Sequence, residues 1–158
     1  MSIFPTRILL ATDGSEEAEL AALKAVDLAQ RTDSELHVVH VGVVPSFLSS
    51  DPGTLGDNGK LYEQIEEEAG ELLRKESWRV KAAGGTVAGA HLRMGTVDLE
   101  IVALAEELGV GLIVMGCRGH RGIRRAIEGS VSDAVIRRAP CPVLVVRPDE
   151  TDEAMEVG

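Results

Sequence analysis

The sequence predicts an α/β domain built as a three-layer sandwich, with a five-stranded parallel sheet in the order 3-2-1-4-5 and helices on both faces. Three observations lead there. Short runs rich in Val, Ile and Leu alternate along the chain with segments of helical period, the pattern of a parallel sheet with right-handed crossovers. The runs Ile8–Ala11, Leu112–Met115 and Val143–Val146 are apolar throughout rather than at every second residue, as strands covered on both faces require. Aromatic residues make up only 3% against 44% hydrophobic residues overall, so the core must be packed from small and branched aliphatic side chains. A chain of 158 residues is one domain of ordinary size, here expected over residues 1–148 with an acidic, solvated tail over 149–158.

The first strand is Arg7 to Ala11, and Thr12-Asp13-Gly14-Ser15 turns it into a helix whose small residues, Ala18, Ala21, Ala22, Ala25, Val26 and Ala29, recur at helical spacing. Glu35 to Val41 is the second strand, with His37 and His40 set among its apolar residues. From Gly42 to Gly59 no period is sustained, which marks a long surface loop. Lys60 to Ala83 is helical, with Leu61, Ile65, Ala69, Leu72 and Leu73 as its buried stripe. Thr86 to Met94 is a third strand broken by Gly89. A helix from Val97 to Leu108 stops at Gly109, and Gly111 to Met115 is the fourth strand. A helix from Ser130 to Arg138 and a fifth strand from Val143 to Val146 complete the fold. With strand one central, the strand order reverses between strands one and four, and ligands of such sheets bind at that crevice.

Charge narrows the ligand. A net charge of −10 repels nucleic acid and acidic membranes, yet Arg118, Arg121, Arg124, Arg125, Arg137 and Arg138 all fall in or just after one glycine-rich segment. A basic spot on an acidic body suits a small anion. Cys117 and Cys141 form no C-x-x-C pair, and neither a signal sequence nor a membrane span is visible, so a reduced, cytoplasmic protein is expected.

The segment itself runs from the apolar Leu112-Ile113-Val114-Met115 through Gly116, Gly119 and Gly122 to Gly129-Ser130-Val131-Ser132. A strand, a glycine loop and a fresh helix N-terminus together present unpaired N–H groups and a helix dipole to an anion. Three helices open at this edge of the sheet. The first carries Glu16, Glu17 and Glu19 in its opening turns, and the one after Gly95 carries Asp98 and Glu100, carboxylates that would repel phosphates. The helix opening at Ser130 offers hydroxyls and bare amides first. Phosphates therefore belong at Gly119, Gly129, Ser130, Val131 and Ser132, with Arg118 in reach of phosphate oxygens.

The spacing is neither G-x-G-x-x-G nor G-x-x-x-x-G-K-[ST]. It is G-x-x-G, nine residues, then G-S, preceded by an apolar strand and followed by Ala139-Pro140-Cys141-Pro142-Val143-Leu144-Val145-Val146. With Ile8-Leu9-Leu10-Ala11-Thr12-Asp13-Gly14-Ser15 as an opening strand, this resembles the universal stress protein family in its ATP-binding form, over nearly the whole chain. The resemblance implies a Rossmann-like fold of the adenine nucleotide alpha hydrolase type and a homodimer formed through strand 143–146. It also implies ATP bound with its phosphates at Gly119, Gly129, Ser130 and Val131 and its ribose near Gly116. Backbone groups of Val41 would read the adenine edge. Asp13 is expected either to cap the first helix, with Glu16 three residues on, or to contact the nucleotide or a divalent cation (Mg²⁺ or Mn²⁺) carried by its phosphates; Thr12 is expected beside it.

Phosphoryl transfer needs a positioned nucleophile, a metal clamp and charge neutralisation, and only the last is visible. The reading is a nucleotide-dependent signalling or stress-response module with at most slow ATP hydrolysis and an unknown signalling partner. A nucleotide-handling hydrolase on the same architecture is the alternative. A nucleic-acid module built on G-x-x-G fits poorly, since that motif joins two helices in RNA-binding domains whereas here it follows a strand.

Overall fold

The computed structural model describes residues 2–45, 47, 56–117 and 130–147, with the backbone alone at 56–58 and 130. Among the described residues five strands and four helices alternate: β1 (Arg7–Ala11), α1 (Glu16–Thr32), β2 (Glu35–Val43), α2 (Gly56–Ala82), β3 (Val87–Gly95), α3 (Val97–Leu108), β4 (Leu112–Gly116), α4 (Ser130–Arg138) and β5 (Val143–Val146). All strand pairs are parallel, and the sheet order is β3-β2-β1-β4-β5, as the sequence predicts.

β1 is central because its side chains are apolar in both directions. Ile8 and Leu10 join a core with the alanine stripe of α1 and with Leu73 and Val80 of α2. Leu9 and Ala11 join a second core with Ile101, Leu104 and Ala105 of α3 and Val135 of α4. Ile8, Leu9 and Leu10 have no exposed surface. At ~25 cal/mol per Å² of apolar surface, each such side chain contributes roughly 1.5–3 kcal/mol relative to exposure, so the two cores dominate stability. The acidic tail expected over 149–158 lies outside the described residues.

Two element boundaries differ from expectation by more than one residue, and one expected break is absent. β2 continues through Gly42 to Val43, because β3 runs alongside it to Gly95 and supplies backbone partners that outweigh the glycine. α2 starts at Gly56, four residues early, although Gly56-Asp57-Asn58-Gly59 has turn composition. β3 is continuous through Gly89; the register shifts one residue earlier, where Leu36 pairs with Val87 and His37 with Gly89. Gly89 has a packing reason. A Cβ there would lie 2.8 Å from both His37 Nδ1 and His91 Nε2, two rings stacked at a centroid distance of 5.3 Å.

The predicted buried stripe of α2 also divides. Ala69 and Leu73 are in the core, whereas Leu61 is exposed and Ile65 and Leu72 are half-buried. The first half of α2 thus projects past the sheet, and its apolar face has something other than core beneath it.

Candidate functional site

What lies beneath it is a cavity of about 570 Å³ at the carboxyl ends of β1, β2 and β4, where the strand order reverses. Its walls are mostly apolar: Ala11 and Met115 from the sheet, Val97 and Ile101 from α3, and Ile65 and Leu72 from α2. Polar groups converge at a few points, at Thr12, Asp13, His40, Glu68 and Ser132. An apolar cleft with a small number of placed polar groups is the ordinary form of a small-molecule site.

The turn between β1 and α1 is rigidly built. The Thr12 N–H donates to the Val39 carbonyl at 3.0 Å, continuing the β1–β2 ladder by one residue. Its carbonyl lies 2.8 Å from His40 Nδ1, and its Oγ1 accepts from the Gly14 N–H at 3.3 Å. Asp13 Oδ1 accepts from the Ser15 N–H at 2.9 Å. The cap of α1 is Ser15, whose Oγ accepts from the Ala18 N–H at 3.2 Å, and not Asp13 as one expectation had it. The chain needs the Gly14 bend, at φ 80°, before it can enter the helix, which puts Asp13 two residues too early to cap. Asp13 is exposed at the cavity wall.

Val41 illustrates how register makes a site. Its side chain is buried in the core on the α3 face. In a parallel strand the backbone groups of alternate residues point to the same neighbour. Since the Val39 carbonyl bonds Thr12 on the β1 side, the N–H and C=O of Val41 point that way too, but there β1 has already turned into α1. The main chain of Val41 is therefore open toward the cavity it lines.

Gly116 lines the cavity as well, yet its lack of a side chain serves the fold first. A Cβ there would sit 2.6 Å from the carbonyl carbon and oxygen of Glu17, so glycine lets the first turn of α1 close onto the end of β4. Val131 and Ser132, in the first turn of α4, complete the wall; Val131 is exposed and Ser132 buried. Ser130 opens α4, whose first N–H groups have no partner within the helix. Arg118, Gly119 and Gly129 lie outside the described residues, as do His120, Arg121, Arg124 and Arg125.

Two arginines assigned to the basic spot belong elsewhere. Arg137 and Arg138 are in the last turn of α4, ~10–12 Å from its start at ~1.5 Å per residue, and Arg138 Nη1 lies 3.8 Å from Asp98 Oδ2 of α3. Among the described residues there is no cluster of three or more His, Cys, Asp or Glu side chains able to hold a metal ion. Cys117 and Cys141 are free thiols, and burial pushes that of Cys141 up, away from the reactive thiolate.

Sequence reasoning missed the α2 wall and His40. The signal for the wall was present: Ile65 and Leu72 are seven residues apart on one helical face with Glu68 between them, but such a stripe looks the same over a core or over a cleft. No helix among the described residues is long and apolar enough to cross a membrane.

Comparison with known proteins places this chain in a family. The model of the universal stress protein family matches residues 5–147. A Staphylococcus haemolyticus protein that carries the same family name is 40% identical over 147 residues, covering 92% of this chain and 87% of that one. The solved structure of the universal stress protein UspA from Lactobacillus plantarum superposes with a TM-score of 0.76 at 26% identity, over 91% of this chain and 99% of that one. A universal stress protein solved in complex with cAMP gives a TM-score of 0.67 at 25% identity, over 89% and 95% of the two chains.

Proposed function

This chain belongs to the universal stress protein family, and we propose that it is an ATP-binding member: a nucleotide-dependent signalling or stress-response module that retains its ligand and hydrolyses it slowly at most. The observation that carries the reading is the meeting, in one cavity of about 570 Å³, of the open main chain of Val41 and the first turn of α4. The first offers a donor and an acceptor to the edge of a base. The second offers helix N-terminal amides and a dipole to phosphates. Apolar side chains between them, Met115, Val97 and Ile101, suit the faces of a purine ring.

In this reading the phosphates sit on the amides of Gly119, Gly129, Ser130 and Val131, with the Ser130 and Ser132 hydroxyls and Arg118 beside them. The ribose passes Gly116. Thr12 and Asp13 border the nucleotide, and Asp13 approaches a Mg²⁺ or Mn²⁺ ion carried by the phosphates through water, since one carboxylate makes a poor cage for it. That a related protein was solved with cAMP supports an adenine ligand.

The protein works as a cytoplasmic homodimer in this reading. Among the described residues β5 pairs with β4 alone, Leu144 on it and Ile136 on neighbouring α4 are exposed, and pairing with a second copy along 143–146 would cover that edge.

Isothermal titration with ATP, ADP, AMP and cAMP, with and without Mg²⁺, tests the proposal. Binding of adenine nucleotides at one site per chain, with fewer than a few turnovers per hour, is expected. No binding removes the reading, and rapid turnover that depends on Asp13 replaces it with that of a hydrolase.

A further inference from the structure

His40 is among the polar groups that line the cavity, but the nucleotide reading above gives it no role. It follows Val39 on β2, on the face that Leu36 and Val38 turn toward α1 and α2, and it lines the cavity. Its Nδ1 is 2.8 Å from the Thr12 carbonyl oxygen. A carbonyl only accepts, so Nδ1 carries the hydrogen, and in the neutral ring Nε2 is left with a lone pair and no hydrogen. Thr12 is held in turn through its N–H, which donates to the Val39 carbonyl, and its Oγ1, which accepts from the Gly14 N–H, so the tautomer is set by a rigid turn. His40 makes no second hydrogen bond among the described residues, and unlike His37 Nε2, its Nε2 is not a sealed, unpartnered atom.

Place in the fold says which part of a ligand it meets. β2 is two strands from β4, ~10 Å at ~4.8 Å per strand, on the far side of β1 from the start of α4. A ligand with its phosphates on α4 brings its base to β2. The polar side chains lining that end, His40, Asp13 from the β1–α1 turn and Glu68 from α2, offer acceptors and, apart from the hydrogen His40 spends on Thr12, no N–H donor. Such a wall suits a base edge that presents an amino group and opposes one that presents a carbonyl.

Building on the nucleotide reading, we propose that His40 is a specificity-determining residue whose Nε2 accepts a hydrogen bond from the exocyclic amino group of adenine. The same position in hypoxanthine carries an oxygen, which would face the lone pair and leave both acceptors unpaired; a mismatch of this kind lowers affinity about tenfold.

The test compares cAMP with cyclic inosine monophosphate by calorimetry on the wild-type protein and on His40→Asn, which keeps a donor for the Thr12 carbonyl and has no acceptor at the Nε2 position. Nitrogen-15 NMR of the wild-type imidazole accompanies it, so the outcome does not depend on the variant alone. Expected are an Nδ1–H tautomer in the free protein, an Nε2 resonance that moves when cAMP is added, and a cAMP preference that shrinks about tenfold in His40→Asn. An unchanged preference in the variant, or an Nε2 resonance that cAMP leaves in place, overturns the assignment while the nucleotide reading stands. A wild-type protein that binds neither cAMP nor ATP overturns both.

Discussion

Two histidines three residues apart on β2 lead different lives. His37 points toward the α3 face and is buried at 8% exposure; its Nδ1 is 3.1 Å from His91 Nε2, and its own Nε2 has no hydrogen-bond partner among the described residues. His40 points toward α2, is held by a backbone carbonyl and borders the cavity. The first is a packing element that forces glycine at position 89. The second is anchored by the same turn that presents Asp13. The odd spacing between them puts them on opposite faces, and the end of β1 at Ala11 decides that only the later one meets a cleft. Residue type alone therefore says little about role on this strand. The partner atom says more: a carbonyl fixes which nitrogen carries the hydrogen, whereas a histidine pair leaves it open.

The largest expected effect separates the ligand site from the fold. Gly129→Asp puts a side chain and a negative charge among the amides proposed for the phosphates. It should abolish ATP binding in calorimetry while the thermal unfolding midpoint stays within a few degrees of wild type; retained affinity would count against the phosphate placement.

Next comes the histidine pair itself. Gly89→Ala drives a methyl to within 2.8 Å of both rings, and overpacking of this kind costs about 1–3 kcal/mol, readable as a lower urea midpoint. ATP affinity of the folded variant should hold, because the clash lies on the α3 face and outside the cavity lining. Equal loss of stability and affinity would mean that the two regions are one unit.

A smaller effect appears with pH. Desolvation, the neighbouring His37 and Arg93 lower the His91 pKa below its ordinary 6.5. The folded state thus favours neutral His91, so this contribution to stability is complete above pH ~6.5 and is lost as pH falls from there through the depressed folded value. Chemical denaturation between pH 8 and pH 5 should show that decline, and His91→Gln should flatten it.

The smallest concerns Glu76, buried on α2 beside Arg79. Burial raises its pKa, with Glu19 and Asp13 adding to the shift against Arg79 and Lys75. The folded state holds the proton more tightly than the unfolded one, so the carboxylate weakens the fold as pH rises above ~4.5. Glu76→Gln should therefore raise the unfolding midpoint at pH 7 slightly and leave nucleotide binding alone; a lower midpoint would show that the Arg79 pairing outweighs burial.

Strand order and most helices were legible because an apolar run closed by a glycine, or an alanine stripe at helical spacing, admits few readings. Boundaries fared worse where composition and context disagree. Gly42 reads as the end of β2 until β3 is seen to run beside it, and Gly56-Asp57-Asn58-Gly59 reads as loop although its backbone is helical. At the site, Thr12, Asp13, Val41, Gly116, Val131 and Ser132 do share one cavity. The α1 cap escaped because Asp13 and Ser15 are both capping residues and only the Gly14 bend chooses between them. The α2 wall escaped because helical spacing cannot say whether a face lies over side chains or over space.

The most direct test of the nucleotide reading is a crystal structure grown with ATP. Expected are adenine against the main chain of Val41 and phosphates on the amides of Ser130 and Val131. A nucleotide bound elsewhere, or a cleft filled by the protein's own side chains under saturating ATP, would contradict it.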